Sequence, residues 1–494
     1  MKLRNLLLPL SVLTFGVTTL SAEEKQQKAK NVLFLFADDL GYKDLGCYGS
    51  SFYETPHLDA LAQDSVRFTN GYAACPVCSP TRSSLLTGQY PARTGNTNFF
   101  GAFNSASGKP MPKRRQRPLM PAPYVEHLPQ ELITIPEALK AHGYATFFAG
   151  KWHLGGKGSL PTDHGFDINK GGWNRGGPYT GKKYFSPYDN PYLENGPDGE
   201  HLPDRLASET VKFMKETEKP FFALLSFYSV HTPLIGREDL VKKYEKKAAA
   251  LNVADDKLFD KDFPRKVRAV QQHAVYGAMV EAMDGAVGKV IQGLKDSGKY
   301  EDTVVIFFSD NGGLSTSEGS PTSNYPLRAG KGWMYEGGIR EPLILRVPGI
   351  TTAGTTSDVP VTSTDFYPTI LEACGKAPQL KDHVDGVSML ESMSGAEGVT
   401  DRVLFWHYPH WGNQGGIPCS AVRHGDWKLI KFYYHKDIEL YNLKDDPSEK
   451  NNLVEVNKDK AAELLKVLDA KLKETGALFP TKNEGFKGGK NFKW

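Results

Sequence analysis

Four continuous apolar runs of strand length each break off at a polar cluster. Asn31-Val32-Leu33-Phe34-Leu35-Phe36 ends at Asp38-Asp39-Leu40-Gly41, and Thr146-Phe147-Phe148-Ala149 ends at Gly150-Lys151-Trp152-His153. Phe221 to Phe227 runs into His231-Thr232-Pro233, and Thr303 to Phe308 into Ser309-Asp310-Asn311-Gly312. An unbroken apolar run marks a strand buried on both faces. Helical segments lie between the runs: Thr55 to Asp64 with Leu58 and Leu61, Ile135 to His142 opening on Pro136, and Arg265 to Ser297. The last carries Met279, Met283, Val287, Val290 and Leu294 on one stripe, a core-facing pattern. Alternating strands and helices predict an α/β fold with a large, mostly parallel, doubly wound sheet. In such sheets ligands bind beyond the carboxyl ends of the strands, where these polar clusters lie.

After a helix at Asp365 to Gly375 the pattern changes. Val403 to Trp406, Ser420 to Arg423, Trp427 to Phe432 and Glu439 to Tyr441 are short runs separated by turn residues, which predicts an antiparallel meander. Asp459 to Lys473 is an amphipathic helix with Leu464, Leu465, Leu468 and Leu472 inward, suited to covering the meander. A boundary near residue 395 thus separates an α/β domain over 23–395 from a smaller α+β unit over 396–494. Two long loops, Gly101 to Gln130 with its basic cluster Lys113-Arg114-Arg115-Gln116-Arg117 and Gly155 to Pro203, exceed ordinary connection lengths.

The composition narrows the class. With 494 residues, 39% apolar and 24% charged, the chain is an ordinary globular protein of ample core. Residues 1–22 carry Lys2 and Arg4, an apolar run from Leu6 to Val17, and Ser21-Ala22. The run is too short to span a bilayer, so this is a signal peptide and the protein is expected to be exported, periplasmic or secreted, without a membrane anchor. Losing Lys2 and Arg4 takes the net charge from +3 to +1, which gives no footprint for nucleic acid. Five cysteines do not make a disulfide scaffold; Cys47, Cys75, Cys374 and Cys419 could pair or stay free.

The candidate chemistry centres on Cys78-Ser79-Pro80-Thr81-Arg82, followed by Leu86-Thr87-Gly88. Pro80 suits a first helical turn and Gly88 a helix exit, so Cys78 falls at a helix N-terminus with Arg82 one turn on. Asp38, Asp39, Asp310 and Asn311 offer only oxygen, which suits a hard cation, Ca²⁺ before Mg²⁺ and not Zn²⁺.

Together these motifs resemble the type I, formylglycine-dependent sulfatases of the alkaline phosphatase superfamily. Arg328-Ala329-Gly330-Lys331-Gly332-Trp333 and Tyr335 to Pro342 extend the match, and Thr81 stands where that family usually has Ser. The resemblance implies one Ca²⁺ held by Asp38, Asp39, Asp310, Asn311 and the modified residue 78. It implies that Cys78 is oxidised by a formylglycine-generating maturation enzyme, and that the aldehyde hydrate attacks sulfur and then expels sulfate. By the same resemblance Arg82 holds the hydrate, Lys151 and Lys331 clamp the sulfuryl oxygens, His153 takes the proton of the second hydroxyl, and His231 with Lys331 protonates the leaving oxygen. The expected substrate is a sulfated glycan, with galactose or N-acetylgalactosamine preferred, as in bacterial exported carbohydrate sulfatases. Arg175, His407 and His410 are candidates for sugar binding, the two histidines reaching in from the smaller unit. The alternatives are a phosphatase or phosphonate hydrolase on the same fold, and a non-catalytic glycan-binding protein.

Overall fold

The structure, a computed structural model, describes residues 29–112, 116–262, 265–379, 381, 384–393 and 401–488. The expected signal peptide (1–22), Lys113 to Arg115 of the basic cluster and the expected boundary at residue 395 lie outside the described residues.

The central sheet has nine strands: β1 (Asn31–Ala37), β2 (Val66–Tyr72), β3 (Ala145–Gly150), β4 (Ile168–Lys170), β5 (Phe221–Ser226), β6 (Thr303–Ser309), β7 (Arg340–Arg346), β8 (Thr355–Ser357) and β9 (Val361–Thr362). Their order is β8-β2-β7-β6-β1-β5-β3-β4, with β9 also alongside β2. Only β7 runs antiparallel to its neighbours. All seven residues of β1 are buried, and alternate ones feed two cores. Leu33, Leu35 and Ala37 meet the helices Pro56–Gln63, Leu202–Glu216 and Ala274–Asp296 on one face. Val32, Phe34 and Phe36 meet Cys78–Thr87, Ile135–Lys140 and Phe366–Ala373 on the other. A strand with a core on each side must be apolar at every position, which is the pattern the sequence carries.

One helix is shorter than its sequence suggests. The segment expected to be helical from Arg265 begins only at Ala274, where the His273 ring accepts from Tyr276 N at 3.2 Å and caps it. Arg265–Arg268 is instead a strand paired with Phe259–Asp262, and Arg268 donates from its backbone to Ser315 O (2.9 Å) and from its side chain to Ser320 O. The Met279, Met283, Val287, Val290, Leu294 stripe is buried as expected.

The smaller unit holds β10 (Val403–Tyr408), β11 (Cys419–His424), β12 (Trp427–Phe432) and β13 (Ile438–Asn442), an antiparallel meander in chain order. The helix Lys458–Glu474 covers one face through Leu464, Leu468 and Leu472, while Leu465 is only half-buried. The opposite face, with Trp406, Tyr408, Ala421 and Ile430, packs on Tyr72, Val77 and Trp333 of the large unit. All five cysteines are unpaired, so the possible pairing of Cys47, Cys75, Cys374 and Cys419 is not realised.

Candidate active site

The register brings four strand ends to one edge. Phe36 pairs with Ser226 and Phe308, and Gly150 pairs with Ser226. Asp38-Asp39, Lys151-His153, Tyr228-His231 and Asp310-Asn311 therefore leave the sheet side by side. The chain turns sharply there: Asp39 (φ 60°) and His153 (φ 56°) hold left-handed backbone conformations that non-glycine residues rarely adopt. Gly150, at φ 100°, lets the turn pass Ser226, since a Cβ would lie 1.8 Å from Ser226 O.

Above this edge stands the helix Cys78–Thr87. Val77 enters it extended, and Gly88 leaves it at φ 66° with its N–H donating to Ser84 O at 2.9 Å. Cys78 is its first residue, so its Sγ sits at the positive end of the helix, 3.7 Å from Asp38 Oδ1. Arg82, one turn on, donates through Nε (2.9 Å) and Nη2 (2.7 Å) to Asp310 Oδ2, and through Nη1 to Lys151 O (2.9 Å) and Ser226 Oγ (2.7 Å). Its guanidinium lies 4.9 Å over the Phe36 ring.

Lys151 Nζ is 2.6 Å from Asp38 Oδ2, and Lys331 Nζ is 2.7 Å from Asp39. Asn311 Nδ2 donates to Asp39 Oδ1 at 2.8 Å. One ligand atom each from Asp38, Asp39, Asp310 and Cys78 lie within 4.8 Å of one another. Among the described residues Asn311 Oδ1 finds no partner there, though it is buried. Burial pushes the Asp38 carboxyl well above its usual range; Asp310 and Asp39 add to the push and Lys151 opposes it. Crowded carboxyls with a spare carbonyl oxygen fit a hard divalent cation.

The neighbouring groups are held in definite protonation states. Burial pushes the Cys78 thiol up to about 12 despite Lys151 and Lys331 beside it, so it is a poor nucleophile as cysteine. Burial opposes the charge on Lys331, but Asp39 outweighs it and raises the ammonium well above its usual range. His231 is lowered to about 3 by burial and by Lys331. Its Nδ1 faces Thr232 O at 2.7 Å, and its Nε2 lies 3.7 Å from Asp39 Oδ2. Burial and Lys151 hold His153 well below its usual value; Nε2 faces Phe100 O at 3.0 Å, while Nδ1 is buried with no partner among the described residues.

The site opens into a cleft of about 590 Å³ walled by Phe100, by the long loops through Gly101, Glu126, Asn174, Arg175 and Tyr179, and by Glu318, Asn413 and Gln414. Arg175 thus lines the cleft as expected. His407 does not: it bonds Ser420 Oγ (2.6 Å) and Leu478 O (2.9 Å) on the other side of the small sheet. His410 is fully buried, bonds Thr97 Oγ1 at 2.8 Å, and borders a smaller neighbouring pocket. Asn413 and Gln414 of the same segment reach the cleft instead. Sequence reasoning missed these two, and also Ser226, Tyr179 and Glu318. Ser226 alone carried a signal, as the hydroxyl at the end of an apolar run.

A family model described as Sulfatase matches residues 30–376, and a second, N-sulphoglucosamine sulphohydrolase, C-terminal, matches residues 329–477. A protein described as Sulfatase from Formosa agariphila is 34% identical, covering 86% of this chain and 85% of its own. N-acetylgalactosamine-6-sulfatase of Canis lupus familiaris is 32% identical, covering 81% of this chain and 71% of its own. Among solved structures, Ps i-CgsB superposes with a TM-score of 0.73 at 26% identity, over 91% of this chain and 93% of its own. The chain belongs to the sulfatase family. It is a sulfuric ester hydrolase, and its mixed α/β fold with a small antiparallel domain is that of its structural neighbours.

Proposed function

We propose that the protein is an exported sulfatase that removes sulfate from a sulfated glycan, using formylglycine at position 78 and one Ca²⁺. The observation that carries this is the convergence of three carboxylates and the Cys78 thiol within 4.8 Å at the floor of a cleft. A soft thiol, raised to about 12, is out of place in a nest of hard oxygens, whereas an oxygen at the same position belongs there.

Asp38, Asp39, Asp310 and Asn311 would hold the Ca²⁺, whose fixed charge favours an ionised hydroxyl at residue 78 and offsets charge on the sulfuryl oxygens. Converted to formylglycine, residue 78 would supply a geminal diol: one hydroxyl oxygen attacks sulfur, and loss of the proton from the other re-forms the aldehyde and expels sulfate by cleaving the C–O bond to the first oxygen. Arg82, fixed by Asp310, Ser226 and Lys151 O, orients residue 78. Lys151 and Lys331, each kept charged by the aspartate beside it, would clamp the three sulfuryl oxygens. His153, neutral with a free Nδ1 lone pair, accepts the proton of the second hydroxyl. His231 donates its Nδ1 proton to Thr232 O, which leaves the lone pair on Nε2, 3.7 Å from Asp39 Oδ2, to take up a proton. The anionic ester raises its basicity on binding, and His231 then shares with Lys331 the delivery of a proton to the leaving oxygen.

The galactose or N-acetylgalactosamine preference rests on the 32% relative named N-acetylgalactosamine-6-sulfatase and on the neighbour Ps i-CgsB, crystallised with k-i-k-neocarrahexaose. Export rests on residues 1–22, and among the described residues no helix is long and apolar enough to cross a membrane. A two-metal phosphatase would need a second ligand set, and among the described residues both convergent groups share Asp39 and Cys78. The test is sulfate release from a panel of sulfated galactose and N-acetylgalactosamine sugars by protein produced with the maturation enzyme. Release by the wild type and none by Cys78→Ala is expected; no release from any ester would overturn the reading.

A further inference from the structure

The cleft has two unlike halves. Beneath the cleft Arg82, Lys151 and Lys331 balance Asp310, Asp38 and Asp39, so the proposed Ca²⁺ would make this floor net positive, whereas the lining beside Lys331 and His231 carries the Glu318 carboxylate. Glu318 is fixed from one side only. Its Oε1 accepts from Asn413 Nδ2 (2.8 Å) and Gln414 Nε2 (2.9 Å), while among the described residues Oε2 has only Thr232 Oγ1 at 3.5 Å. Thr232 adjoins His231 in sequence, and Glu318 acts electrostatically on Lys331. Gln414 is itself locked: its backbone oxygen accepts from Trp333 Nε1 (3.1 Å) and Thr316 Oγ1 (3.0 Å). Its side chain packs on Gly332, where a Cβ would lie 2.6 Å from Oε1. The amide nitrogen therefore points at Glu318 and holds the carboxylate in one orientation, with Oε2 turned from the amides.

We infer that Glu318 reads the sugar: Oε2 accepts a hydroxyl beside the scissile ester, and its charge selects a neutral sugar over one bearing a carboxylate. This rests on the sulfatase reading above and names the substrate class of the same cleft. A carboxylate accepts hydroxyl hydrogen bonds that an aryl leaving group cannot offer. Placed beside the leaving oxygen, it repels a second carboxylate at short range, while the sulfuryl group is drawn to the cations below. Arg175, which also lines the cleft and lies 5.7 Å over the Trp173 ring, offers donors to the same sugar.

The test compares kcat/KM of wild type and Glu318→Gln on two esters, a monosulfated neutral hexose and an aryl sulfate. The sugar-to-aryl ratio should fall at least fivefold in the variant, through KM more than kcat; a smaller fall would mean that Glu318 only braces the 413–414 segment, and would overturn the inference. A wild-type comparison does not depend on the variant folding. The neutral sulfated hexose should be preferred at least tenfold over a sulfated uronic acid, and equal or reversed preference would overturn the inference. Absence of any sulfate release by the wild type would instead overturn the sulfatase reading itself.

Discussion

Two clusters in this molecule bury the same ingredients and use them differently. At the contact between the two units, Lys428 Nζ lies 2.9 Å from both Glu336 Oε1 and Glu449 Oε1, and all three side chains are fully buried. Tyr72 OH donates to Glu336 Oε2 at 2.6 Å, Glu336 N donates to Glu449 Oε2 at 2.6 Å, and Arg423 reaches Tyr72. Burial acts against the Glu336 charge, yet Lys428, Arg340 and Arg423 outweigh it and hold its carboxyl at about 2. At the strand ends, Asp38, Asp39 and Asp310 also meet buried cations, but they crowd one another and leave Asn311 Oδ1 unpaired beneath an open cleft. The first cluster is closed and joins the units. The second is incomplete in itself, and that incompleteness marks it as a site.

The contrast can be broken from either side. Asp310→Asn keeps the shape and removes one crowded charge, so sulfate release should fall by ~10³-fold or more, with some loss of stability because the buried Arg82 guanidinium loses its charged partner. Activity near wild type would contradict the cation assignment. Arg82→Lys keeps the charge but loses the fork that spans Asp310, Ser226 and Lys151 O; kcat should fall ~10²-fold or more, checked by steady-state kinetics. Lys428→Met works the other way. It strands two buried carboxylates and should cost about 3–5 kcal/mol of stability in denaturant unfolding, though it touches no cleft residue. An unchanged unfolding midpoint would show that the closed cluster is dispensable.

Much of this was legible in the sequence because a strand buried on both faces cannot hide: its apolar run is continuous, and the first polar residues after it fall at the ligand-binding edge. Asp38-Asp39, Lys151-His153, His231 and Asp310-Asn311 were all found that way. The cleft walls were not, since Tyr179, Glu318, Asn413 and Gln414 sit in loops whose polar residues follow no period. His407 was misplaced although its strand held the answer. Trp406 and Tyr408 face the large unit, so the period of two turns His407 to the other side of the small sheet. The helix start was overrun because Arg265 to His273 has no strong breaker, and only the pairing of Arg265–Arg268 with Phe259–Asp262 settles its form.

His407 also supplies the smallest prediction. Burial lowers it to about 4, so the folded protein refuses a proton that the unfolded chain accepts near 6.5. Acid therefore favours unfolding: the contribution of His407 is fully present above pH 6.5 and is lost as the pH falls from 6.5 towards 4, by at most about 3 kcal/mol. The melting temperature of His407→Gln should fall less than that of wild type between pH 7 and pH 4.5; parallel slopes would contradict the assignment.

On the proposed reading residue 78 acts through oxygen and not sulfur. Mass spectrometry of the proteolytic peptide containing residue 78, from protein produced with the formylglycine-generating enzyme, tests it directly. The expected peptide has lost the thiol sulfur and gained an aldehyde oxygen, in the same preparation that releases sulfate. A peptide with an intact Cys78 thiol in a fully active preparation would contradict it.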